Sequence, residues 1–142
     1  MTISTFQATG SPGPIAGISD YVPGQCNIGT AEIAGRRRAG HVGVIATIGL
    51  LAVLVAIGAP PVARLVIALP AAIAASGYLQ ARLRFCAAYG SRGVYNFDTL
   101  GQTERVADEE ARRSDRVRAT QISVASGLIG LAVGIAAVLL PI

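Results

Sequence analysis

Long stretches without charge alternate with short polar ones along this chain, and the lengths of the uncharged stretches set the first expectation. His41 to Ala59 contains no charged residue. Val62 to about Leu83 carries only Arg64 before Arg82 and Arg84 mark its exit, and Thr120 to Leu140 is again uncharged. Each stretch is close to the ~20 residues that take an α-helix across ~30 Å of hydrocarbon. The pattern predicts an all-α membrane protein with three transmembrane helices. Pro60-Pro61 leaves almost no loop between the first two spans, so residues 29–84 are expected to form a tight helical hairpin. Its first helix should begin near Thr30, where Glu32 in the opening turn suits the positive end of the helix dipole. Pro70 lies near the middle of the second span and predicts a kink, which membrane helices tolerate when neighbours re-satisfy the freed carbonyl. Arg64, within a turn of that span's start, can snorkel to the interface.

The polar stretches differ among themselves. Residues 1–28 carry Gly10, Pro12, Gly13, Pro14, Gly17, Pro23 and Gly24; repeated Gly and Pro block a helix, so an extended irregular arm is expected. Left alone it would be mobile, and ordering it calls for a partner or the protein's own membrane-facing surface. Residues 85–101 read as a connector with Gly90, Gly93 and Gly101. Residues 102–118 alternate in sign, and Asp108 with Arg112 and Glu109 with Arg113 stand at the i,i+4 spacing that pairs charges on a solvated helix. No breaker separates them from the third span. A single helix of nearly forty residues, about 60 Å long, is therefore expected over 102–142, half in water and half in lipid.

Composition agrees with a bilayer as solvent. Charged residues make up 14% of the chain, against about a quarter in soluble domains. All 12 basic residues are arginine. Arginine without lysine, amid abundant Ala, Gly and Val, points to a GC-rich genome and so to a bacterium. Arg36, Arg37 and Arg38 precede the first span and eight more arginines follow the second, which leaves Arg64 as the exception. By the positive-inside rule the arginine-rich side is cytoplasmic, with the N-terminus in and Ile142 outside a bacterial inner membrane. The net charge of +4 thus belongs to the membrane surface and its anionic lipids rather than to nucleic acid. The first residues lack the basic and apolar regions of a signal peptide, so the internal helices should drive insertion.

Small residues recur at helical spacing: Ser126, Gly130 and Gly134 in the third span, Ala52 and Ala56 in the first, Ala72 and Ser76 in the second. In lipid such ridges let helices approach closely, either within one chain or between chains. Two cysteines, Cys26 and Cys86, are candidate thiols. They form no CxxC or haem-attachment pattern, and both flank the hairpin at its arginine-rich end. Arg84 and Arg92 lie near Cys86 in sequence. The lone His41, at the start of a span with no carboxylate within a turn, reads as an interfacial residue rather than a metal or haem ligand. No cofactor is predicted.

Two motifs flank the hairpin. Asn27-Ile28-Gly29-Thr30-Ala31-Glu32 is followed by Arg36 and Gly40 at successive four-residue steps, and Phe85-Cys86-Ala87-Ala88-Tyr89 is followed by Gly93. Over residues 27–96 the chain resembles the two-helix inner-membrane domain of the YgaP-like family (DUF2892-type). That family opens with Asn-x-Gly-x-x-Asp-Arg and closes its second helix with Cys-Pro-x-Tyr-x-x-x-Gly. Asn27, Gly29, Glu32, Arg36, Gly40, Cys86, Tyr89 and Gly93 match in position, while Ile33 stands where the family has arginine and Ala87 where it has proline. The resemblance implies a membrane anchor with both motifs on the cytoplasmic side, and no reaction.

The expected function is that of a small non-catalytic accessory or structural subunit packed on a larger membrane complex. Two alternatives stay open: a sulfur- or redox-handling protein using Cys86, and a self-assembling homo-oligomer. Expected partners are membrane lipids and either other membrane subunits or further copies of the chain.

Overall fold

A computed structural model describes residues 21–142; positions 1–20 of the expected arm lie outside the described residues. Helix α1 spans Thr30–Ala56. A 3-10 helix over Pro61–Ile67 runs directly into α2, Ala68–Leu83. A short α3, Ala87–Arg92, and two strands, β1 (Val94–Tyr95) and β2 (Glu104–Arg105), lead to α4, Glu109–Leu139. Three stretches, Thr30–Ala56, Pro61–Leu83 and Glu109–Leu139, are long and apolar enough to cross a membrane. The protein is a multi-pass helical membrane protein.

The hairpin turn is as tight as Pro60-Pro61 implied. Gly58, at φ +65°, turns the chain in the left-handed region that glycine adopts without strain. Pro70, however, does not kink the middle of a helix. In an α-helix its ring would press on the carbonyl of Val66, four residues back; the preceding segment is instead wound as a 3-10 helix, and Pro70 sits in the first turn of α2.

The three spans stand in a row with α2 between α1 and α4. Backbones touch where α1 crosses α2: a Cβ on Gly77 would stand 2.7 Å from the carbonyl oxygen of Arg36, and one on Gly43 would stand 2.6 Å from the backbone nitrogen of Ala74. On the other side of α2, Ser126, Gly130 and Gly134 of α4 are buried. A Cβ on Gly130 would stand 2.6 Å from that of Ala72. Ser76 is half-buried and its hydroxyl accepts a hydrogen bond from Gln80 (2.7 Å). Ala52 and Ala56 behave differently from the α4 ridge: both are exposed, because α1 meets α2 through Gly40 and Gly43 and turns its alanines away.

Arg64 does not snorkel. It is buried at the far end of α4, where its guanidinium donates to the carbonyls of Ala137 (3.2 Å), Leu140 (2.9 Å) and Ile142. The last carbonyls of a helix have no partner within it, and a cation there also complements the dipole. Arg64 therefore ties the last turn of α4 to the start of the second span.

The charged half of the third helix is shorter than its composition suggested. Residues 102–108 are not helical: β2 pairs antiparallel with β1, Val94 opposite Arg105 and Tyr95 opposite Glu104, and Val106 N–H donates to Gly93 (2.9 Å). Asp108 starts the helix by accepting from Ala111 N–H at 2.9 Å. A carboxylate so placed satisfies an orphan donor better than it pairs one turn ahead, so the expected Asp108–Arg112 pair gives way to a cap. Glu109 pairs with Arg112 and with Arg116 (3.0 Å), not with Arg113. The helix has 31 residues, about 46 Å at 1.5 Å per residue.

Candidate functional site

At the arginine-rich end the hairpin is closed by a buried polar cluster built from both motifs. Asn27 is wholly buried, and its side chain is bound to the backbone of Cys86 at two points. Cys86 N–H donates to Asn27 Oδ1 (2.6 Å) and Asn27 Nδ2 donates to the Cys86 carbonyl (3.1 Å). The Asn27 backbone extends the lock: its N–H donates to Arg84 (3.1 Å), and its carbonyl accepts from Asn96 N–H (3.0 Å). Gly29 N–H then donates to the Asn96 carbonyl (2.8 Å). A side chain on Gly29 would fall 2.8 Å from the Phe97 carbonyl oxygen, so only glycine lets these two strands of backbone lie together.

Glu32 is the hub of the cluster. It is buried in the first turn of α1, and its Oε1 accepts from Tyr89 OH (2.8 Å), Asn96 Nδ2 (3.1 Å) and Gly101 N–H (3.2 Å). Arg36 stands one turn on, 3.7 Å from Glu32 Oε2. The carboxylate thus faces the polar cap rather than lipid headgroups. The Arg36 guanidinium lies 5.8 Å from the centre of the Tyr89 ring and reaches Cys86 Sγ at 2.9 Å. Burial and the bond to Glu32 push the Tyr89 phenol upward from its ordinary pKa. Gly40 lies against the Tyr78 ring, 3.1 Å from where its Cβ would be. Gly93, at φ +67°, turns the chain out of α3 against the stem of Arg112. All eight motif residues therefore bear on one end of the hairpin.

Sequence reasoning missed three members. Gln80 accepts from Ala87 N–H (3.0 Å) and holds the turn after α2. Asn96 links Glu32 to the Thr99 carbonyl (2.8 Å). Asp115, in the charged stretch of α4, is fully buried. It accepts from Tyr21 OH (2.8 Å) and from Gly24 N–H (2.7 Å), and the Tyr21 ring stacks on Tyr95 at 4.9 Å. Residues 21–28 are therefore held by the protein's own polar cap, not by a membrane-facing surface. Burial, then the Asp115 carboxylate, push the Tyr21 phenol up. The one available signal for Asp115 was its spacing: Ala111, Asp115, Ala119 and Ile122 form a single helical row, all buried.

The chemistry on offer is mostly used up in holding the fold. Cys86 has no exposed surface, and both cysteines are free thiols. Cys26 is half-buried, with its sulfur 3.9 Å from the Ile28 carbonyl. Among the described residues no three of His, Cys, Asp and Glu gather as metal ligands do. His41 lies on the outer face, its Nδ1 2.6 Å from Tyr78 OH. Compared with known proteins, the chain matches no family model, no curated protein and no solved structure.

Proposed function

We propose that the chain is a non-catalytic structural subunit that docks on a larger membrane assembly through the flank of α1 facing away from α2. One contrast carries the reading. The row Gly49, Ala52 and Ala56 runs along that flank and is exposed throughout, and no heavy atom of the described residues stands within 4 Å of a Cβ on Gly49. The corresponding back of α4 presents Val117, Val124, Leu128, Leu131 and Ile135, with Gly127 as its one exposed glycine. Lipid tails suit large aliphatic side chains, whereas Gly and Ala serve close helix–helix approach. The α1 flank has the composition of an interface and the α4 back that of a lipid-facing surface.

The arginines support a bacterial inner membrane with the polar cap in the cytoplasm. The convergence of Asn27, Gly29, Glu32, Arg36, Gly40, Cys86, Tyr89 and Gly93 on one clasp supports the YgaP-like resemblance for residues 27–96. A sulfur-handling role for Cys86 has the Arg36 contact in its favour and complete burial against it. The test is to replace Gly49 and Ala52 by leucine and purify the chain from its native membrane in mild detergent. Wild type is expected to bring a second membrane polypeptide with it, and the double variant to lose it while staying folded. A wild-type chain that migrates alone overturns the reading; one that carries only further copies of itself supports the homo-oligomer instead.

A further inference from the structure

A second feature of the hairpin concerns its exposed face at the arginine-rich end. His41 on α1 and Tyr78 on α2 meet there, edge to face with ring centres 5.4 Å apart and joined by the hydrogen bond between them. Gly40 beneath the Tyr78 ring permits this approach. Side chains three or four residues apart share a helix face. Arg37 and Arg38 therefore stand one turn beyond His41, and Arg82 one turn beyond Tyr78. Because α1 and α2 run antiparallel, both turns lead toward the same end, so the three arginines stand at one level around the aromatic pair. All three are exposed, and none takes part in a salt bridge among the described residues, where the pairs belong to Arg36, Arg112 and Arg116. In the other direction the row continues from His41 to Ile45 and Ile48, which are 70% and 64% exposed.

We propose that this face is a binding site for one anionic phospholipid, whose phosphate sits among Arg37, Arg38 and Arg82 and whose acyl chain runs over Ile45 and Ile48. The order of groups along the face is that of the lipid itself. Cations come first, then an amphipathic ring pair of the kind found at headgroup depth, then aliphatic side chains. Exposed guanidinium groups without carboxylate partners need an anion beside a low-dielectric phase, and a planar fork matches phosphate oxygens at two points. The Tyr78–His41 pair closes the gap between the helices beneath the headgroup. The proposal does not depend on which protein meets the α1 flank.

The experiment uses the full chain, reconstituted in phosphatidylcholine with a minor fraction of phosphatidylglycerol and released for native mass spectrometry. Wild type is expected to retain one phosphatidylglycerol in preference to phosphatidylcholine. Arg37→Gln, Arg38→Gln and Arg82→Gln together should weaken that retention on the order of 100-fold, taking roughly fivefold for each arginine at an anionic surface. A control with Arg92→Gln, Arg105→Gln and Arg113→Gln removes the same charge elsewhere and should retain the lipid as wild type does. Helix content by circular dichroism confirms that both triple variants are folded. Equal loss in the two variants, or undiminished retention in the first, overturns the site. So does displacement of the lipid by millimolar inorganic phosphate, which would make free phosphate the ligand.

Discussion

Helices α1 and α4 flank the same central helix, and both carry small residues at helical spacing, yet they use them in opposite ways. On α4 the small residues face inward: Ser126, Gly130 and Gly134 are buried, the two glycines against Leu65, Ala68 and Ala72. On α1 the close contacts fall to Gly40 and Gly43, near its root, while Gly49, Ala52 and Ala56 face outward and are exposed among the described residues. Only 11% of the most apolar part of α1 is buried, against 28% for α4. A small-residue ridge is thus a statement about how closely something can approach, not about what does. In α4 the something is the chain's own α2. In α1 the inner half is spoken for and the outer half is open.

Substitutions at the helix contacts and at the two ends of the hairpin test that contrast. The largest effect is expected where a side chain would meet backbone. Gly130→Leu would drive into Ala68 and Ala72 and should cost about 3 kcal/mol or more in a detergent melt, at or above the upper end of overpacking penalties. Gly49→Leu on α1 meets open space among the described residues and should leave the same melt unchanged or raise it by up to about 1 kcal/mol, the helix propensity that glycine lacks. Equal effects would erase the difference between the two helices. Next is Arg64→Met, which keeps the stem and removes three hydrogen bonds to the end of α4. It should cost about 2–3 kcal/mol and speed backbone hydrogen exchange at Ala137 to Leu140 while leaving α1 unchanged. Asn27→Ala should cost about 2 kcal/mol by leaving the buried Cys86 N–H unpaired, while the Cys86 carbonyl keeps the Gly90 N–H. The same change should raise the alkylation rate of Cys86, which in wild type should react far more slowly than Cys26. Equal reactivity of the two thiols would contradict the burial of Cys86.

The smallest effect is a pH dependence of the strap at residues 21–28. The Tyr21 phenol is raised above its unfolded value of 10.0, so its protonated form is the one the fold prefers. Its contribution is fully present below about pH 10 and is lost as pH rises through the higher folded pKa. Melts between pH 8 and pH 11 should therefore decline at the alkaline end, and Tyr21→Phe should flatten part of that decline. Tyr89 and Tyr95 shift in the same direction and account for what remains. An alkaline slope unchanged by Tyr21→Phe would remove the strap's role.

The spans were legible because length and absence of charge are properties of a continuous stretch, and the bilayer imposes both. The tight turn at Pro60-Pro61 was legible for a similar reason: it is local. Charges read in isolation misled. Arg64 and Asp115 both look like surface residues by type, and each is buried because it answers backbone groups that are distant in sequence, the last carbonyls of α4 and the turn at Gly24. Glycines divide the same way. Gly130 and Gly134 stood out by their helical spacing, whereas Gly40 and Gly77 act as a pair only once α1 and α2 are laid side by side. The clasp was visible as two motifs at either end of the hairpin, but Gln80 and Asn96, which join them, carry no spacing of their own.

The proposed docking surface requires a protein contact on the outward face of α1 and lipid along the back of α4. It is tested most directly by placing a photo-crosslinking residue at Ala52, and separately at Leu128, in chains otherwise unchanged and irradiated in native membranes. The position at Leu128, which is 62% exposed on the back of α4, should yield lipid adducts alone. The position at Ala52 should yield one discrete band containing a second polypeptide. Lipid adducts alone at both positions, or protein bands at Leu128 and none at Ala52, would contradict it.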